Sequence, residues 1–94
     1  MEQFYIVRAN EAGVFFGKIQ SSSDRGVTMT DVRKIYYWKG ACAVEELAVN
    51  GTKCPNECKL TVIVPRMFIA NPIQIIPCSD KATDILSRIQ IWKA

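Results

Sequence analysis

Residues 32–41, Val-Arg-Lys-Ile-Tyr-Tyr-Trp-Lys-Gly-Ala, set the tightest condition on any fold this chain can adopt. In an extended strand, period-two alternation places Arg33, Ile35 and Tyr37 on one face and Lys34, Tyr36 and Trp38 on the other. Neither face is purely apolar, and both carry aromatics. Such a strand is expected to leave one face partly exposed or to meet another subunit. Gly40 ends it.

The segments on either side are mostly strand-like. Phe4 to Arg8 and Val14 to Ile19 are rich in β-branched and aromatic residues, and the turn chemistry of Asn10-Glu11-Ala12-Gly13 joins them into a hairpin. Ser21 to Gly26 reads as a loop, after which Val27 to Thr30 resumes the strand, with Asp31 expected to interrupt it. Lys59 to Val64 is the clearest strand in the chain, closed by Pro65. Arg66 to Ala70 reads as a short strand or connector, Ile73 to Pro77 as the last strong strand, and Ile91 to Ala94 as a returning edge strand.

Two stretches break this pattern. Ala41 to Val49 has apolar residues at 43, 44, 47 and 48, the spacing of one helical face, and Asn50-Gly51 supplies a left-handed stop. Ser79 is a good N-cap for a helix from Asp80 to about Arg88, with Ala82, Ile85, Leu86 and Ile89 as its apolar stripe. The expected architecture is a single α+β domain over residues 1–94: a small, strongly bent antiparallel sheet or partial barrel carrying two short helices.

At 94 residues with 49% hydrophobic side chains, the chain can bury a modest core. It contains no apolar run near the ~18–20 residues of a membrane span. The start, Met1-Glu2-Gln3, leads straight into strand-like sequence without a signal peptide, so a cytoplasmic protein is expected. A net charge of +3, with basic residues scattered except at Arg33, Lys34 and Lys39, suits a small anionic ligand better than a long nucleic acid.

With no histidine in the chain, neither a Ser-His nor a Cys-His nucleophile pair can form. Cys54 and Cys58 have the spacing of half a zinc site, but Cys42 and Cys78 do not complete a second pair, so four free thiols are expected and no metal. The chain has no phosphate-binding glycine loop, and Glu45 and Glu46, adjacent on a helix, diverge. Neither enzyme activity nor a cofactor is expected.

What remains is recognition chemistry. Aromatic faces stack on bases, and Arg or Lys pairs with phosphate oxygens. Arg33, Lys34, Tyr36 and Trp38 are therefore the candidate ligand-binding residues, with Arg33 first because its planar fork can hold two oxygens. Arg8, at the end of the first strand, is a further candidate. The same aromatics serve equally well as core packing or as a protein–protein hot spot, and a homo-oligomer, dimer or tetramer, is expected.

Several short motifs resemble a group of small tailed-phage accessory proteins. They are Ala12 to Phe15, the basic-basic-Ile-aromatic-Tyr-Trp-x-Gly-Ala run of Arg33 to Ala41, Leu47 to Thr52, Pro55 to Lys59, Ile73 to Ser79 and Trp92-Lys93. Lys34 stands where Arg is commoner and Tyr36 where Trp is commoner. Small phage proteins of this kind include sponges that sequester the cyclic oligonucleotide signals of bacterial immune systems such as CBASS. The resemblance implies an anti-defence role in the host cytoplasm, with a cyclic di- or oligonucleotide bound and not cleaved. The candidate site residues come from their chemistry and not from the resemblance. Two other readings stand beside this one: a phage factor that blocks a host protein through the same strip, and a single-stranded nucleic-acid binder.

Overall fold

Residues 2–92 are described by a computed structural model. Strands β1 (Tyr5–Ala9) and β2 (Gly13–Ser23) form the first hairpin, and β2 with β3 (Gly26–Tyr37) the second. Helix α1 (Val44–Asn50) and a 3-10 turn (Pro55–Glu57) follow. Then come β4 (Lys59–Leu60), β5 (Val64–Ala70), β6 (Pro72–Pro77) and α2 (Asp80–Ser87). All strand pairings are antiparallel, in the order β4-β3-β2-β1-β6, with β5 also on β3. The sheet is bent but not closed into a barrel. Its two ends approach at one corner, where Asn71 alone joins β5 to β6 and donates its N–H to the carbonyl of Arg25 at 3.0 Å.

The sheet carries one buried cluster on each face, the first of them packed against the helices. Ile6, Val14, Phe16, Ile35 and Leu60 pack with Leu47 and Ala48 of α1 and Ala82 and Leu86 of α2. Val7, Phe15, Val27, Met29, Val32 and Ile69 form the second cluster. The β2 run Val14-Phe15-Phe16 alternates between the two, as a strand buried on both faces must.

Asp31 decides which side of the sheet receives the second half of β3. Val27 and Met29 belong to the second cluster, and so does Val32, which is out of step with them by one residue. The extra residue is Asp31, at φ 48°, opposite a register shift between Phe16 and Lys18. Aspartate is among the few side chains that tolerate this region, and the bulge reverses the phase of everything after it. Arg33 and Ile35 consequently face the helices. Lys18 pairs with the Asp31 carboxylate at 2.7 Å across the bulge. Gly17 is the residue opposite, and a Cβ there would lie 2.8 Å from the Cα of Val32.

The structure corrects four sequence expectations. The loop expected over Ser21 to Gly26 shrinks to Asp24 and Arg25, because Ser21 to Ser23 stay in β2 and pair with Thr28, Val27 and Gly26 of β3. Lys59 to Val64 does not run as one strand: the ladder stops after Leu60 and resumes at Val64. Between them the Thr61 hydroxyl, in place of a backbone carbonyl, accepts the N–H of Lys34 at 2.9 Å. That diversion leaves Val62 and Ile63 outside the sheet and exposed. The first helix starts at Val44 and not at Ala41, because Ala43 is extended and the Glu46 carboxylate accepts the Cys42 N–H at 2.6 Å. The returning segment at the chain end makes an isolated parallel bridge, Ile91 to Leu60, and not a strand; Lys93 and Ala94 lie outside the described residues.

The second helix starts as its sequence predicts, the Ser79 hydroxyl accepting the N–H of Ala82 at 3.0 Å. Gly51, at φ 73°, closes α1 by donating to the carbonyl of Leu47 and leaves room for Ile85 of α2.

Candidate functional site

The five candidate residues do not meet in one place. Arg33 is 3% exposed and lies between the sheet and the end of α2. Its Nε donates to the carbonyl of Thr61 at 3.0 Å and one terminal nitrogen, Nη1, to the carbonyl of Leu86 at 3.3 Å. The other, Nη2, is buried without a hydrogen-bond partner among the described residues. Burial pulls the Arg33 pKa down from the ordinary guanidinium value, because desolvation disfavours the charged form. Lys34 points to the opposite face, as alternation requires, and its stem lies over Gly13. Arg8 is exposed on β1 beside Gln74 of β6. There the Gln74 side chain donates to Glu45 at 3.1 Å. The Glu45 carboxyl is held below its usual range first by that bond, then by a backbone bond, and last by the charge of Arg8.

Tyr36 and Trp38, expected on one face, part company. The register of β3 against β4 shifts between Ile35 and Tyr37, so strict alternation fails at this point. Trp38 packs, partly buried, against the helix-side core. Tyr36 remains 60% exposed and stacks on Trp92, with ring centroids 5.2 Å apart and planes 9° from parallel. The parallel bridge at Ile91 and a 2.9 Å bond from the Trp92 N–H to the carbonyl of Leu60 hold Trp92 there.

Lys59 completes the group. Its Nζ lies 5.0 Å from the centre of the Trp92 ring and 5.8 Å from that of Tyr37. A cation over aromatic faces at these distances is attracted by about 0.5–1 kcal/mol when exposed. Tyr36, Tyr37, Trp92 and Lys59 thus form a solvent-facing cluster of three rings and one ammonium group. The candidate set omitted Lys59, Tyr37 and Trp92. Trp92 had no local signal, since it reaches Tyr36 only through the path of the last residues along β4.

This surface can stack planar rings and pair with anionic oxygen. No group of three His, Cys, Asp or Glu side chains is arranged to hold a metal ion among the described residues. No helix among them is long and apolar enough to cross a membrane. Cys42, Cys54, Cys58 and Cys78 are all free.

The chain belongs to the family described as a domain of unknown function, DUF6948, whose model matches residues 2–86. That match takes in Arg33 and Tyr36 and stops before Trp92. No curated protein and no solved structure matches the chain.

Proposed function

We propose that this protein binds a cyclic di- or oligonucleotide without transforming it, and acts as an anti-defence sponge of phage origin in the host cytoplasm. The observation that carries the reading is the exposed Tyr36–Trp92 stack with Lys59 over Trp92. A base placed on the pair extends an existing stack, gaining roughly 1–3 kcal/mol. Lys59 supplies charge for a phosphate at the same place. The ligand class, the homo-oligomeric state and the phage setting are supported by the motif resemblance of residues 33–41 and the later segments. The absence of histidine from the sequence favours binding over catalysis.

A second reading, a blocker of a host protein, is favoured by the exposed apolar side chains Val62, Ile63, Phe68, Ile73 and Ile75. Calorimetry with a panel of cyclic nucleotides, joined to native mass spectrometry of protein from cyclase-expressing cells, separates the two. The sponge retains an intact nucleotide, and Trp92→Ala weakens its binding about five- to 150-fold in the folded protein. Wild-type protein that binds no member of the panel would leave the blocker as the better reading.

A further inference from the structure

We infer that the outer edge of β5 is a docking edge for an extended segment of another protein, added to the sheet as an antiparallel strand. Among the described residues β5 pairs with β3 on one side and with no strand on the other. The Asn71 N–H turns to the β3 side, where the carbonyl of Arg25 accepts it. Main-chain groups alternate in direction back from there, along the register Ala70–Gly26, Phe68–Thr28 and Arg66–Thr30. Met67 and Ile69 therefore give theirs to β3. The N–H and C=O of Arg66, Phe68 and Ala70 face outward, without a protein partner among the described residues. Natural sheet edges are blunted by prolines, charges or bulges. β6 has a proline at each end, but from Met67 to Ala70 β5 carries neither proline, charge nor bulge, and Phe68 is 56% exposed.

The surroundings of that edge specify the partner. A groove of about 480 Å³ runs beside Met67 to Asn71, with Phe15 in its lining and the β1–β2 turn at Glu11 and Ala12 as its other bank. Across an antiparallel pair, directly opposed side chains share a face. Residues opposite Met67 and Ile69 thus lie over the groove and should be apolar. A residue opposite Phe68 lies on the exposed face and should be aromatic or β-branched. Arg66, exposed on that same face, has no ion pair among the described residues, so the residue opposite it should be acidic. This last requirement argues against a second copy bound edge to edge. Neither β5 nor β6 contains a carboxylate, so no register of either free edge answers Arg66. The assignment stands apart from the nucleotide reading, whose test follows a different ligand.

The probe is the peptide Thr-Val-Tyr-Val-Glu, blocked at both ends, which sets its tyrosine opposite Phe68 and its glutamate opposite Arg66. It is titrated into isotope-labelled full-length protein. Saturable binding is expected, with amide exchange slowed at Arg66, Phe68 and Ala70. N-methylation of the tyrosine, whose N–H would meet β5, should weaken binding about tenfold or more. N-methylation of either valine, whose N–H points away, should weaken it by less than about threefold. Phe68→Pro removes an outward N–H that the β3 ladder does not use, so it should fold and lose the peptide, whereas Phe68→Ala retains it. Arg66→Glu should weaken binding, and a lysine in place of the peptide's glutamate should restore it. No saturable binding, equal effects of the two kinds of N-methylation, unchanged binding by Arg66→Glu, or a folded Phe68→Pro that binds like Phe68→Ala would each overturn the assignment. Exchange at the three amides that slows in the free protein as its concentration rises would give the edge to a second copy, and would overturn it as well.

Discussion

Arg33 on β3 holds the carbonyl of Leu86, in the last turn of α2, at 3.3 Å. That turn has no basic residue of its own, and its last carbonyls face outward along the negative end of the helix dipole. The guanidinium supplies the missing cation from the sheet, and its bond to Thr61 ties in the segment between β4 and β5. One side chain thus joins three parts of the chain that are remote in sequence. The fork has more donors than the clasp uses, which leaves Nη2 buried without a partner among the described residues.

Removing that clasp should be expensive. Arg33→Ala leaves two carbonyls without their charged donor and opens space under α2, which should cost roughly 2–4 kcal/mol. Arg33→Lys keeps the charge but cannot reach both carbonyls with a planar fork, and should cost less. Urea unfolding of the three proteins measures this, and a loss below ~0.5 kcal/mol for Arg33→Ala would show that the clasp carries no stability.

Gly17→Ala tests the bulge. The new methyl would sit 2.8 Å from the Cα of Val32 and 3.1 Å from the carbonyl oxygen of Thr30, both backbone atoms that cannot swing aside. A loss of about 1–3 kcal/mol is expected, the usual range for overpacking a well-packed site. Asp31→Gly removes the left-handed strain along with the exposed Lys18 pair, and should change stability by less than ~1 kcal/mol. Equal losses in the two variants would contradict this account of the phase change.

The bulge also marks the limit of what the sequence discloses. Both helices, the first hairpin and the bent antiparallel sheet follow from spacing and turn residues, because those signals are local. Asp31 was legible as an interruption of β3. Its consequence was not, since only the pairing with β2 reveals an extra residue. Alternation correctly separated Arg33 from Lys34, yet it paired Tyr36 with Trp38 across a second register shift. Lys59 to Val64 has strand composition throughout, and what breaks it is one threonine hydroxyl accepting from a neighbouring strand. Trp92 illustrates the general difficulty: its role depends entirely on where the chain end is carried.

The cysteines should differ sharply in reactivity. Cys42 is exposed, Cys54 half-buried, and Cys58 and Cys78 buried. Burial pushes the Cys78 thiol up to about 12, so it stays protonated where a free thiol would ionise. Iodoacetamide at pH 8, read by peptide mass spectrometry, should modify Cys42 first, Cys54 more slowly, and Cys58 and Cys78 only after unfolding. Rapid modification of Cys78 in the folded protein would contradict its burial.

The same thiol makes stability depend on pH at the alkaline end. In the unfolded chain Cys78 ionises from an ordinary value of about 9, while the fold holds its proton to about 12. Between these values the unfolded state binds fewer protons, so stability falls as pH rises. The contribution is fully present below about 9 and is lost progressively above it, at no more than about 1.4 kcal/mol per pH unit. Urea midpoints at pH 8, 9.5 and 10.5 should decline more steeply for the wild type than for Cys78→Ala. Parallel declines would place the alkaline sensitivity in other groups.

Self-association is the remaining expectation, and the fold changes where its contact is sought. Sequence alternation located the uncovered aromatics on β3, but β3 is central, with β2 on one side and β4 and β5 on the other. The strand with an unpaired edge beyond β1 is β6, where Ile73 and Ile75 are exposed. Pro72 and Pro77 bound it, and prolines at both ends of an edge discourage extended strand-to-strand pairing. A contact made by the two isoleucine side chains is therefore expected over a continuous intermolecular sheet. The double variant Ile73→Lys/Ile75→Lys adds charge only at exposed positions, so it should fold. Sedimentation should show the wild type as a dimer or tetramer at micromolar concentration and the variant as a monomer of 10.6 kDa. A monomeric wild type would remove the oligomer from the proposed function, and a variant that still assembles would move the contact away from β6, toward the Tyr36–Trp92 surface.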